Sequence, residues 1–312
     1  MFRLEYPHLE EYGKAILNSF WIPEHFTYDR DVNDYNINLT KEEQEVVKRL
    51  VLCIAQIENK VKSMWSRIDM RLGHPVIANV GHIFAMNETV HQDSYKKIID
   101  LLGLVEEFNS LSNNSVIVNR VKYLSKYLAG VNSRSDKEFT KSLILFTILV
   151  ENCALFSYFA GMASFNKYKS LFNNFNSIVM ASSREEVLHG QFGAELVKII
   201  RQENPEWFDK EMEDKIIRNV KKAYKAECEI LDWVFEKGDL DFLKKEDLKN
   251  YLKHRFNTSL VQLGYEPIYE EEDIKVLEFF DRSVKSSISF DFFNEKSSEY
   301  DESNKITEDD WV

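Results

Sequence analysis

The chain has few of the residues that end or interrupt helices: its 312 residues include only ten glycines and five prolines. No Pro/Gly/Ser-rich stretch divides it, which argues against a flexible linker and for one large domain. Cysteine is scarce as well. Cys53, Cys153 and Cys228 are isolated and odd in number, which excludes a disulfide framework or a Cys-x-x-Cys zinc ribbon and fits a reducing cytoplasm. An excess of positive charge is also missing. The net charge of −12 disfavours nucleic-acid binding, because phosphate contacts need clustered Lys and Arg that are not locally outnumbered. The N-terminus, Met1-Phe2-Arg3-Leu4-Glu5, lacks the basic region and apolar run of a secretory signal.

What the chain does have is helical periodicity over long stretches, and the expectation is an all-α bundle. Helices are expected at about 42–72, 76–103, 115–130, 137–165, 174–203, 209–237, 244–264 and 271–286. The segment from Leu143 to Ala163 is long enough to span a bilayer, and Glu151 is its only side chain charged at neutral pH. A carboxylate in mid-span is costly unless partnered, and the flanks carry no aromatic-plus-basic anchors. A helix apolar on all sides also belongs at the centre of a large bundle. No membrane insertion is expected, because a bound cation at Glu151 explains the buried carboxylate.

One pattern occurs twice: a single Glu on an apolar helix, then a tight reversal, then Glu-x-x-His on the next helix. The first copy is Glu58 followed by Glu88-Thr89-Val90-His91, and the second is Glu151 followed by Glu186-Val187-Leu188-His189. Residues three apart on a helix share a face, so each Glu/His pair can aim at one ion. The interruption Gly73-His74-Pro75 lies midway between Glu58 and the first motif, and Asn166-Lys167-Tyr168-Lys169-Ser170 lies midway between Glu151 and the second. In antiparallel helix pairs this spacing brings the lone carboxylates level with the motifs. Four carboxylates and two imidazoles supplied in equal halves are what a two-metal site inside a helical bundle requires. A single Glu-x-x-His is weak evidence, and the chain holds a decoy, Glu5-Tyr6-Pro7-His8, in which Pro7 disfavours a continuous helix. Tyr95 continues the stripe of Glu88 and His91, at i, i+3 and i+7, and would lie beside the metals; an ordinary core tyrosine is the bland alternative.

Glu88-Thr89-Val90-His91-Gln92-Asp93-Ser94-Tyr95, together with Ser183-Arg184-Glu185-Glu186-Val187-Leu188-His189, resembles the small, radical-generating subunit of class I ribonucleotide reductase. The resemblance covers nearly the whole chain. Phe20-Trp21-Ile22-Pro23-Glu24 is similar to the family's Trp-x-Pro-Glu segment, and Asp291-Phe292-Phe293 and Tyr300 precede an acidic tail ending Glu308-Asp309-Asp310-Trp311-Val312. The resemblance implies a ferritin-like bundle with additional helices over 1–288, and a flexible tail over 289–312 that docks on the large subunit. It implies that Glu58, Glu88, His91, Glu151, Glu186 and His189 hold two iron ions per chain, a set that also accepts di-manganese or a mixed pair. Oxygen chemistry there would oxidise Tyr95 to a stable radical, shielded by Leu155, Phe159 and Val179. Trp21 and Glu185, with His91, would start an electron and proton path that Tyr300 relays to the large subunit, and Trp311 would anchor the docked tail.

By the same resemblance the protein is a cytoplasmic homodimer, in a host cytoplasm if viral; the Lys- and Asn-rich composition fits a low-GC genome of either origin. The chain departs from the family in having Glu185 where Asp is usual and Ser182 where the radical pocket is usually apolar, and Glu58 replaces the Asp of many members. Two other readings share the ligand set. A bundle oxidase or monooxygenase would need an apolar substrate cavity beside the metals, and a ferritin-like storage protein would show no radical and would tolerate loss of the tail.

Overall fold

The computed structural model describes residues 6–270 and 273–286. The expected tail over 289–312, the boundary at 288, Tyr300 and Trp311 therefore lie outside the described residues. The principal helices are α1 Glu10–Asn18, α2 Asp29–Ile37, α3 Lys41–Trp65, α4 Pro75–Leu101, α5 Ser115–Leu128, α6 Asp136–Lys169, α7 Asn173–Glu203, α8 Lys210–Val234 and α9 Lys245–Gln262. Residues 278–286 are also helical. Among the described residues there is no β-strand, only an isolated bridge between Leu240 and Leu243.

Local chemistry sets the helix ends. Thr40 and Glu43 close a capping box at the start of α3, with Glu43 N donating to Thr40 Oγ1 (3.2 Å) and Thr40 N donating to Glu43 Oε2 (2.9 Å). Asp209 caps α8 by accepting from Met212 N at 2.8 Å. Gly73, at φ 57°, turns the chain ahead of α4, and Pro75 opens that helix where its missing N–H costs nothing. The second reversal is tighter than expected: α6 runs through Lys169, and the turn is made by Ser170 and Phe172, both left-handed without being glycine. Helix α2 holds that turn. Asp34 Oδ2 accepts from Phe172 N (3.0 Å), and Asp31 accepts from Asn174 N (3.1 Å) and Asn174 Nδ2 (2.9 Å).

Two differences from the expected helices matter. The expected helix over about 42–72 stops at Trp65, and a separate turn, Asp69–Leu72, comes after it. Helices α1 and α2 escape the periodicity reading because nine residues each give too few turns to establish a stripe. The apolar run of α6 is wholly enclosed by the other helices, so it is the core helix of the bundle.

A buried polar cluster ties four helices together near this core. Arg120 of α5 donates to Glu227 of α8 (Nε to Oε1 3.1 Å, Nη2 to Oε2 2.9 Å) and to the Cys53 carbonyl of α3 (3.1 Å). Tyr158 of α6 contacts both members of the ion pair, and Tyr123 donates to Glu227 Oε1. Removing one partner of such a pair leaves an uncompensated buried charge. Glu227→Ala should lower stability by about 3–5 kcal/mol in urea titration, whereas the paired change Arg120→Met with Glu227→Leu should cost less than the single one. Equal or greater loss in the pair would show that the ion pair itself, not the orphaned arginine, carries the stability.

Candidate metal centre

Glu58 comes from α3, Glu88 and His91 from α4, Glu151 from α6, and Glu186 and His189 from α7, and all six are buried. They form two groups, Glu58–Glu88–His91–Glu186 and Glu88–Glu151–Glu186–His189, in each of which one donor atom per residue lies within 4.8 Å of the others. Glu88 and Glu186 belong to both groups. Around His91 Nδ1 stand Glu186 Oε1 at 3.1 Å, Glu88 Oε2 at 3.6 Å and Glu58 Oε2 at 3.8 Å. Around His189 Nδ1 stand Glu88 Oε1 at 3.1 Å, Glu151 Oε2 at 3.4 Å and Glu186 Oε2 at 3.5 Å.

These short approaches are mostly not hydrogen bonds. Both oxygens of Glu58 and of Glu88, Oε2 of Glu151 and of Glu186, and both nitrogens of His189 have no hydrogen-bond partner. Buried polar atoms are almost always satisfied, and here the orphans converge on two points. Two donors each about 2.0–2.2 Å from one ion are separated by roughly 3–4 Å at ordinary coordination angles, the spacing seen here. The carboxylate and imidazole set therefore fits two cations, with Glu88 and Glu186 common to both donor groups.

In the absence of a cation the charges adjust through protons. Burial pushes the Glu58 and Glu151 carboxyls well above the usual carboxylate range, and the neighbouring carboxylates add to the rise. For Glu186 burial acts the same way but is outweighed by the His189 and His91 imidazoles beside its two oxygens, which hold it low. Burial alone would lower both histidines, yet their carboxylate partners raise them well above the ordinary imidazole value.

Each half of the centre has its own indole. On the His91 side, Nε2 of the imidazole meets Glu185 Oε2 at 2.7 Å, Trp21 Nε1 donates to both Glu185 oxygens at 3.0 and 3.1 Å, and the Trp21 ring stacks on His91 at 6.1 Å and 23°. The longer side chain of Glu185, compared with Asp, thus spans both contacts. On the His189 side, Trp65 Nε1 donates directly to Glu151 Oε1 at 3.0 Å, and Phe84 packs 4.2 Å from the His189 ring. Trp65 escaped the sequence reading, although it lies seven residues after Glu58 on the same helical stripe. Tyr95 is buried, stacks on Phe159 at 6.2 Å and 20°, and donates a long hydrogen bond of 3.4 Å to Ser182 Oγ. Burial, and then the charge of Glu58, push its phenol up. Leu155 and Val179 are also buried in the core.

The family model described as ribonucleotide reductase, small chain, matches residues 1–276. The chain belongs to that family. Among its relatives is the ribonucleoside-diphosphate reductase subunit beta of Bacillus subtilis, 24% identical over 292 residues, covering 91% of this chain and 86% of that protein. The fold is similar to that of a class I ribonucleotide reductase from Bacillus halodurans, with a TM-score of 0.82 and 21% identity over 89% of this chain and 100% of the other. An R2-like ligand-binding oxidase carrying a Mn/Fe cofactor is similar at a TM-score of 0.72 and 21% identity, over 84% of this chain and 95% of that one.

The raised carboxyls and imidazoles set the pH behaviour of small-chain protein stripped of metal. Above the ordinary carboxylate value of 4.5, folded Glu58 and Glu151 keep protons that the unfolded chain loses. Above 6.5 the same holds for His91 and His189. Both effects make stability fall as pH rises. Calorimetry in chelator should show the melting temperature dropping from about pH 5 to about pH 8, and added Mn(II) should reverse the trend because binding displaces those protons. A metal-free melting temperature that climbs over this range would contradict the charge assignment.

Proposed function

We propose that this chain is the radical-generating small subunit of ribonucleoside-diphosphate reductase, with Glu58, Glu88, His91, Glu151, Glu186 and His189 holding two metal ions and Tyr95 storing the oxidising equivalent. The observation that carries this reading is the pair of buried donor groups sharing Glu88 and Glu186, with Tyr95 on the same stripe of α4. Two iron ions held there, or manganese in either or both positions, would supply one-electron oxidising chemistry with dioxygen as oxidant.

The chain's own residues do the rest. The buried phenol of Tyr95 is neutral, so an electron taken from it has to be accompanied by its proton if no buried cation is to form, and the reduction of dioxygen would consume that proton. Phe159 against the ring, within a buried shell, excludes water and reductants from the oxidised site. Glu185 joins ligand His91 to Trp21 in a continuous hydrogen-bonded chain, which suits it to passing an electron and a proton toward the N-terminal segment. An oxidase acting on an organic substrate would have no use for that chain. The remaining steps of the proposal are that residues 1–288 form the bundle domain, that the 289–312 tail docks on the large subunit with Trp311 as anchor and Tyr300 as relay, and that the protein works as a cytoplasmic homodimer.

Tyr95→Phe should retain two metals per chain and lose the organic radical signal in electron paramagnetic resonance; a tyrosyl signal of full strength in that variant would overturn the Tyr95 role. Truncation before Glu308 should leave the radical intact and eliminate turnover with the large subunit, and unchanged turnover would refute tail docking.

A further inference from the structure

Helix α6 is not uniform. Residues Thr147–Ala154, which include Glu151, form a wide π-helical turn within it. Such a turn inserts one residue, rotates the downstream part of the helix by about 100° relative to a regular one, and loosens the local hydrogen-bond ladder, so it persists only where neighbours support it. The support here comes from one side chain and one neighbouring helix. Asn152 is buried, and its amide donates both hydrogens: to the Thr147 carbonyl inside the turn at 3.0 Å, and to Ser259 Oγ of α9 at 3.2 Å. Arg255, also of α9, donates from Nε to the Asn152 carbonyl at 2.8 Å, with its guanidinium 3.7 Å over the Phe156 ring. On the other side, α7 makes room with two glycines next to its ligands. A Cβ on Gly190 would fall 2.4 Å from Asn152 Oδ1, and one on Gly193 2.4 Å from Thr147 Oγ1.

We propose that Asn152, clamped by Ser259 and Arg255 of α9 and given space by Gly190, is the positioning residue that aims Glu151 at the cation position on the His189 side. The inference rests on the reading of Glu151 as a metal ligand. The clamp acts on the helix, next in sequence to the ligand, while Trp65 orients the Glu151 carboxylate itself. Its effect is confined to one of the two cation positions, because Glu151 belongs to only one donor group.

The test is Mn(II) titration of the full-length, chelator-stripped protein by calorimetry, beside the metal-free melting temperature of each variant. The parent should bind two ions per chain; if it binds none, the metal-ligand reading fails before the clamp is tested. Asn152→Ala and Gly190→Ala should each weaken one of the two ions by roughly 10–100-fold, the usual consequence of removing an outer-shell partner, and leave the other near its parent affinity. In the Asn152→Ala background, adding His189→Ala should leave the retained ion unchanged, whereas adding His91→Ala should abolish it. Ser259→Ala, which keeps Asn152 and removes one of its acceptors, should give a smaller loss at the same position, and it decides the matter if Asn152→Ala does not fold. Two ions bound as in the parent, or two ions weakened equally, would overturn the proposal.

Discussion

Four carboxylates enclosed in one dry pocket with only two imidazoles for company cannot all keep their charge, since two like charges about 4 Å apart repel by about 4 kcal/mol even at an effective dielectric constant of 20. That constraint organises the molecule. Without cations the pocket must take up protons, which is why Glu58 and Glu151 are pushed up while both imidazoles hold on to theirs. With two cations the same atoms would become ligands, and the orphaned oxygens of Glu58, Glu88, Glu151 and Glu186 would be satisfied together. The apolar helix carries Glu151 through the centre of the bundle with Trp65 Nε1 donating to its carboxyl and His189 Nδ1 3.4 Å from it.

The surroundings serve to keep that pocket dry. Trp65 and Phe84 close the His189 side, Trp21 lies flat on His91, and Phe159 covers Tyr95. Two of these aromatics also carry polar handles aimed inward: the Trp65 indole holds Glu151 directly, and the Trp21 indole reaches His91 through Glu185. The two halves are thus alike in their ligands and unlike in their second layer. On one side the indole meets a ligand carboxylate; on the other an extra carboxylate stands between indole and imidazole, and that extra group creates a hydrogen-bonded route out of the centre.

Much of this was legible in the sequence because it depends on helical spacing. The i, i+3 pairing of Glu88 with His91 and of Glu186 with His189, and the equal distances of Glu58 and Glu151 from their reversals, require only 3.6 residues per turn. The long apolar stretch around Glu151 lies wholly buried in the bundle, as a helix apolar on all sides predicts. The rest was hidden for identifiable reasons. The left-handed Ser170 and Phe172 are held by tertiary contacts, such as Asp34 accepting from Phe172, which no local pattern announces. The wide turn at Thr147–Ala154 leaves no periodicity signature in a segment where every residue is buried. The short α1 and α2 were missed, although Asp31 and Asp34 of α2 are what hold the entry to the helix bearing Glu186 and His189.

The central claim is that two cations sit side by side, each with one imidazole, joined by Glu88 and Glu186. Anomalous diffraction from crystals grown with Mn(II) measures this directly. The account predicts two peaks per chain, one bonded to His91 and one to His189, with Glu88 and Glu186 contacting both. A single peak between the imidazoles, or manganese bound only outside the six side chains, would contradict it.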